Sequence, residues 1–342
     1  MASDLRMQSE LRETPEAVAR QAAELDRPLA EVAARLRARP PHVVVTCARG
    51  SSAHAATFGK HLIERTLGIP VAAAAPSVTT VYRKALRLEG ELFLAVSQSG
   101  ASDDLVEQAE AARRAGAVTV ALVNADDSML ARACDIVLPM AAGPEHSVAA
   151  TKTFVASLAA LMRLAAAWSE DAAMTAALER LPERLALATD LDWSAALPSL
   201  TEAVSLMTIG RGPTLAIARE ASLKLKETCN LHAEAFSGAE VRHGPVTLVS
   251  TQYPILMFMP TDAAAAGLRR LADDFRTMKA SLFVAEPGEP TRGRLPALAP
   301  EQPEADAICL IQSFYGMAVQ LSARRGLDAD RPRHLKKVTR TR

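Results

Sequence analysis

Short unbroken apolar runs alternate along this chain with longer segments whose apolar positions recur at helical spacing. From Glu10 to Arg39, Val18, Ala22, Leu25, Leu29, Val32 and Leu36 form one stripe between charges, which predicts a helical N-terminal arm. Strand-like runs follow at His42 to Cys47, Ile69 to Ala74, Glu91 to Val96, Val118 to Asn124 and Asp135 to Pro139, with helical segments at Ala53 to Leu67 and Asp103 to Ala115. Such alternation predicts a parallel sheet covered by helices on both faces. Residues 151 to 168 read as a closing helix, and a polar, proline-containing connection is expected from about 169 to 198. The plan then repeats, with strands at Ala203 to Ile209, Tyr253 to Met259 and Ala280 to Ala285 and a helix at Thr214 to Cys229. Thr46-Cys47-Ala48-Arg49-Gly50-Ser51-Ser52 and Thr208-Ile209-Gly210-Arg211-Gly212-Pro213-Thr214 share a T-x-x-R-G-x-S/T pattern, as a duplicated domain would. The expected fold class is α/β, with two tandem doubly wound parallel-sheet domains. A helical arm is expected over 1–40, the domains over 41–185 and 186–328, and a tail over 329–342.

Charge narrows the partners. The 342 residues balance 39 Lys+Arg against 39 Asp+Glu, so there is no global basic field to hold a polyanion, and nucleic acid is not expected. Hydrophobic residues make up 49% of the chain, enough to fill two cores. Cys47, Cys134, Cys229 and Cys309 lie far apart with no C-x-x-C pair, which predicts neither a zinc site nor a disulfide framework and suits a reduced cytoplasm. No metal or cofactor is expected. The N-terminus has acids and glutamines where a signal peptide needs an apolar core, and the apolar stretch Phe154 to Trp168 is interrupted by Arg163. That stretch reads as a buried helix and not a membrane span.

The candidate chemistry begins where the run Leu92 to Val96 ends in Ser97-Gln98-Ser99-Gly100-Ala101-Ser102 and opens a helix. Unpaired backbone N–H groups and hydroxyls at such a junction form a phosphate cradle, without the glycine spacing or lysine of nucleotide-binding loops. By itself the run reads equally as a serine-rich helix cap. Gly50-Ser51-Ser52 is a second hydroxyl turn after a strand, and two such turns could converge on one anion. The second half has Met259-Pro260-Thr261-Asp262 where the serine loop would fall, which predicts one phosphate site per chain. Ser147 to Phe154 offers backbone groups to sugar hydroxyls, or simply a capping threonine and a solvated lysine. Glu220, Lys224 and Glu227 share a helix face, the pattern of an ion-pair ladder that is usually solvated. With His232-Ala233-Glu234 and Arg242-His243-Gly244-Pro245 close behind, that face suits proton transfer at a sugar's carbonyl carbons. The basic tail from Asp330 to Val338 is either a solvated terminus or the source of an amine for a Schiff base.

Taken in order, S-Q-S-G-x-S at Ser97 to Ser102, V-A-x-T-K at Val148 to Lys152, L-K-L-K-E at Leu223 to Glu227, H-A-E at His232, R-H-G-P at Arg242 and D-x-P-R-x-L-x-K at Asp330 to Lys337 resemble the double sugar-isomerase (SIS) domain family. The likeness is to the isomerase half of glucosamine-6-phosphate synthase and to stand-alone glucosamine-6-phosphate deaminases. The resemblance implies two flavodoxin-like domains, with phosphate ligands at Ser52, Ser97, Gln98, Ser99 and Ser102, and Val148 and Ala150 beside the sugar. It implies that Glu227 moves a proton between the first two sugar carbons, that Lys224 lies beside the reaction centre, and that Lys337 forms a Schiff base with the ketose. His243 would open the sugar ring from the neighbouring subunit, making the protein a homodimer with shared active sites. Two departures stand out: Arg49 occupies a position usually small, and Ala150 replaces a serine. The chain starts Met1-Ala2-Ser3 and reaches its first strand near residue 42, so no glutaminase domain is expected.

The expected activity is deamination of glucosamine 6-phosphate to fructose 6-phosphate and ammonia, without a metal. An aldose–ketose phosphosugar isomerase or a fructosamine-6-phosphate-type deglycase would use the same groups, and a sugar-phosphate sensor without turnover is the non-enzymatic alternative.

Overall fold

The computed structural model describes residues 5–337; the Met1-Ala2-Ser3 start and the tail from Val338 onward lie outside the described residues. The chain divides into two compact units, each built on one parallel sheet.

The first unit comprises Glu16–Glu145, Lys152–Glu179 and the described end of the tail. Helix α1 (Arg6–Arg12) belongs to the second unit; from α2 (Thr14–Ala38) the first unit runs through β1 (Val44–Ala48), α3 (Gly50–Leu67), β2 (Val71–Ala73), α4 (Pro76–Thr80), β3 (Leu92–Ser97), α5 (Asp103–Arg114), β4 (Val118–Val123), α6 (Met129–Ala133), β5 (Ile136–Pro139) and α7 (Lys152–Ser169). The strands are parallel in the order β2-β1-β3-β4-β5, with β1 and β3 in register from Val44↔Leu92 to Ala48↔Val96. Every residue of β3 is buried, as expected for a strand covered on both faces. On one face Val45, Cys47, Phe93, Ala95 and Ala121 pack with Leu105, Ala109 and Leu130 of α5 and α6. The stripe of α2 differs at one position: Ala22 is exposed and Gln21 is buried instead. Its amide donates to the carbonyls of Met140 and Ala156 at 2.8 Å each, which makes a polar side chain acceptable there.

The second unit holds the described residues up to Pro15, with His146–Thr151 and Arg180–Leu335. Helix α8 (Ala172–Thr189) replaces most of the expected polar connection. Pro182 lies inside it without ending it, because Met174, Ala177, Leu178, Leu181, Leu185 and Ala188 form a buried helical stripe that outweighs one lost hydrogen bond. Then follow α9 (Leu197–Glu202), β6 (Ser205–Gly210), α10 (Thr214–Cys229), β7 (His232–Ser237), β8 (Pro254–Phe258), α11 (Ala265–Thr277), β9 (Ser281–Ala285), β10 (Arg294–Leu295) and α12 (Pro303–Arg324). The order β7-β6-β8-β9-β10, all parallel, is the first sheet's order counted from β6. The matched turns also agree: Gly50 and Gly212 both have positive φ, +52° and +58°. Both sheets have the flavodoxin-like order. Among the described residues no helix is long and apolar enough to cross a membrane.

Gly100 and Gly50 separate two reasons for a glycine. Both have left-handed backbone, but a Cβ on Gly100 would lie 2.0 Å from Ser128 Oγ and 2.5 Å from its Cβ, whereas one on Gly50 meets nothing within 4 Å. Gly50→Ala should therefore cost only the backbone strain, about 1–2 kcal/mol. Gly100→Ala should cost about 2–4 kcal/mol by adding overpacking. Urea denaturation of both variants checks the order.

Candidate active site

The carboxyl ends of β1 and β3 lie side by side where the strand order reverses, the place where open α/β sheets bind ligands. Both hydroxyl turns grow from these ends. After β1 the chain passes through extended Arg49 and left-handed Gly50 straight into α3, which sets Ser52 in its first turn. The Ser52 hydroxyl makes no hydrogen bond with the described residues. After β3, Ser97 Oγ accepts the Gly100 N–H at 3.1 Å and Ser99 Oγ accepts the Ala101 N–H at 3.3 Å. Each hydroxyl thus keeps its own proton for another acceptor. The Gln98 carbonyl accepts the Asn124 N–H at 3.2 Å, which anchors the loop to the end of β4. Ser102 precedes α5 but makes no capping bond through its side chain, so capping does not consume this serine. Ser52, Ser97, Gln98, Ser99 and Ser102 therefore all follow the ends of β1 and β3 at one sheet edge.

Arg49 spans the two turns. Its Nε and Nη2 donate to Asp104 Oδ2, in the first turn of α5, at 3.0 and 2.7 Å. Nothing in the sequence pattern marked Asp104 as its partner.

In the second unit, α10 carries the ladder, and it is not solvated. Lys224 is 1% exposed, 3.5 Å from Glu220 Oε1 and in direct ion-pair contact with Glu227. Glu220 is fully buried and accepts the Tyr315 hydroxyl of α12 at 3.3 Å. Glu227, at 20% exposure, borders a cavity of about 610 Å³ together with Leu223, Lys226, Asn230, Arg331 and His334. Val148 and Ala150 are half-buried on a loop pinned by Glu10 of α1, which accepts the N–H groups of His146 and Ser147 and the Ser147 hydroxyl. Glu10 is a second supporting residue that the motifs did not reveal. His243 lies exposed in a short turn before Gly244, and no hydrogen bond or ion pair joins it to the described residues.

Back in the first unit, Lys152 is buried, not solvated, and donates to the Pro144 carbonyl at 2.7 Å. Lys337 Nζ reaches Glu145 Oε2 at 3.0 Å, and Glu145 also accepts the Thr153 N–H at 3.0 Å and hydroxyl at 2.7 Å. Burial alone would raise the Glu145 carboxyl, but the Lys337 charge and the Thr153 bonds outweigh it and hold the group below its ordinary value. Burial pushes the Cys47, Cys134 and Cys309 thiols up to about 12 and Cys229 to about 11, so none supplies a thiolate at neutral pH.

The SIS domain family matches residues 39–167 and 199–280. Glutamine–fructose-6-phosphate aminotransferase (isomerizing) of Symbiobacterium thermophilum is 34% identical over 89% of this chain and 52% of its own length. The Caulobacter vibrioides protein of that name is 30% identical over 86% and 51%. The chain thus spans about half the length of these curated relatives. Among solved structures, a candidate phosphosugar isomerase of Silicibacter pomeroyi is 46% identical with TM-score 0.91, covering 95% of this chain and 100% of that one. Glucosamine-6-phosphate deaminase of Thermotoga maritima, 22% identical with TM-score 0.73 over 96% and 100%, shares the fold.

The depressed Glu145 carboxyl gives a pH signature. A lowered folded-state pKa contributes stability above the unfolded value, ordinarily 4.5, and loses it as pH falls through the folded value. Glu145→Gln should cost about 2 kcal/mol at neutral pH. In urea titrations the parent–variant difference should hold from about pH 7 to about pH 5 and shrink below about pH 4. A constant difference at all pH values would show that the charge is not the source.

Proposed function

We propose that this chain, which belongs to the SIS domain family, is a phosphosugar enzyme that deaminates glucosamine 6-phosphate to fructose 6-phosphate and ammonia. The observation that carries this reading is Lys224, buried between Glu220 and Glu227 while Glu227 still reaches a cavity wall. A buried cation between carboxylates loses hydration that an ordinary surface ladder keeps, and such an arrangement is characteristic of sites that place a charge for chemistry.

In the proposed reaction the phosphate is held by Ser52, Ser97, Gln98, Ser99 and Ser102, and Val148 and Ala150 lie beside the sugar. His243, from the neighbouring subunit of a homodimer, opens the ring. Glu227 takes the proton from the second carbon and returns it to the first, while Lys224 fixes the carboxylate's position. Water then adds to the ketimine and ammonia leaves, so the sugar exchanges its nitrogen for the water oxygen. Lys337 is the amine available to the ketose, and its bond to Glu145 must open before it can attack carbon. Plain isomerisation shares the proton transfer but conserves nitrogen. Ammonia release across a panel of amino-sugar phosphates therefore tests the assignment, with glucosamine 6-phosphate expected as the substrate and unphosphorylated glucosamine as a very poor one. Comparable turnover of the two would remove the phosphate loop from the mechanism.

Glu227→Gln should lower turnover by ~10²–10⁴ with KM nearly unchanged, since it removes the base but keeps shape. Near-parental exchange of the carbon-bound proton with solvent in this variant would reduce Glu227 to a structural member of the ladder.

His243, exposed and unbonded among the described residues, supports the shared-site proposal. Mixing inactive His243→Ala and Glu227→Gln chains under subunit exchange should restore up to roughly a quarter of parental activity, because a heterodimer has one site with both groups intact. Exchange with no recovery would place His243 in its own chain's site or outside catalysis.

A further inference from the structure

We propose that Arg49 is the charged ligand of the phosphate group, aimed by Asp104. This assignment rests on the phosphosugar reading and adds to it the one cation in the two turns, 49–52 and 97–102. Hydroxyls and amides alone leave a phosphate dianion without a counter-charge, and Arg49 stands beside both turns. Its guanidinium crosses from the end of β1 to the first turn of α5, with Nε and Nη2 both bonded to the same carboxylate oxygen, Asp104 Oδ2. A guanidinium has five N–H donors, so this contact leaves the two on Nη1 and one on Nη2 without partners among the described residues.

Burial assigns the two partners different tasks. Asp104 is almost fully buried, whereas the Arg49 side chain is 53% exposed, so the carboxylate is the fixed end of the pair and the guanidinium its accessible end. Asp104 Oδ1 is buried with no hydrogen-bond partner, so among the described residues nothing else competes with Arg49 for this carboxylate. An unrestrained arginine would lose several rotatable bonds' freedom on meeting a phosphate. Asp104 removes much of that freedom beforehand, at a spot two residues beyond Ser102. It is a positioning residue, and Arg49 a direct ligand.

The test measures fructose 6-phosphate binding by calorimetry to the full chain and its variants, with fructose as the control. Arg49→Gln should weaken binding about 10- to 100-fold, the effect of a hydrogen bond to a charged acceptor. Asp104→Asn should give a smaller loss of about 3- to 10-fold, because the cation persists but is less well aimed. Arg49→Gln leaves a buried carboxylate unpaired and can impair folding for that reason alone. The double variant Arg49→Gln/Asp104→Asn removes both charges and should bind as weakly as Arg49→Gln. The pH profile separates contact from mere support. The second phosphate proton has a pKa of about 6, so parental affinity should fall between about pH 7.5 and about pH 5.5, and this fall should flatten in the double variant.

Parental affinity and pH profile in a folded double variant would overturn the assignment, provided Ser99→Ala still weakens fructose 6-phosphate binding. If the parent binds fructose as tightly as fructose 6-phosphate, the phosphosugar reading itself fails, and this assignment with it.

Discussion

The parallel pairing of β1 with β3 is the constraint on which the first unit depends. Parallel strands deliver all their carboxyl ends to one edge, and the chain must leave β1 toward β2 and β3 toward β4 in opposite directions along the sheet. The crevice this opens is lined by whatever residues follow those two strands. Here they are two hydroxyl turns, each bent by a left-handed glycine, and the Ser97 and Ser99 hydroxyls accept from their own loop's N–H groups. The loop's shape is thus satisfied internally, leaving its O–H donors directed elsewhere.

The second sheet shows what happens when the same crevice is not kept open. Thr214 occupies the position of Ser52, but it is fully buried, donates to the Phe258 carbonyl at the end of β8 at 2.8 Å and accepts the Arg211 N–H at 3.0 Å. The hydroxyl that would face a ligand instead ties the two strand ends together. Asp306 continues the closure by accepting the Thr261 hydroxyl at 2.6 Å. The duplicated fold therefore gives two equivalent edges and one hydroxyl cradle. In the second unit the buried charges are gathered on α10 instead.

The central strands β1, β3 and β4 were legible because near-complete burial writes an unbroken apolar run, and the serine loop because its composition is unusual at the end of such a run. Positions set by long-range partners were not legible. Gln21 replaces Ala22 on the buried face of α2 because two carbonyls, those of Met140 and Ala156, wait for its amide. Strand β7 escaped notice because it lies at the sheet's edge and carries exposed His232 and Glu234 among its residues. The residues of α8 read as a connection because Pro182 carries a strong local signal that its buried stripe overrides. Glu10 and Asp104 are ordinary acids on helices until the fold brings His146, Ser147 and Arg49 against them.

The ladder on α10 shows most clearly how burial changes the meaning of a sequence pattern. Three charges at helical spacing on a wet surface would contribute a few tenths of a kcal/mol and tolerate exchange. With Lys224 buried, each member depends on the next. Tyr315 of α12 bonds the innermost carboxylate, Glu220; Lys224 is held between Glu220 and Glu227; and Glu227 stands at the cavity. Freedom increases along the series, from a carboxylate with no exposure to one that is one-fifth exposed. In the proposed reaction a base that returns a proton to a neighbouring carbon needs a fixed position and an open face; the buried end of this series offers the first and the cavity the second.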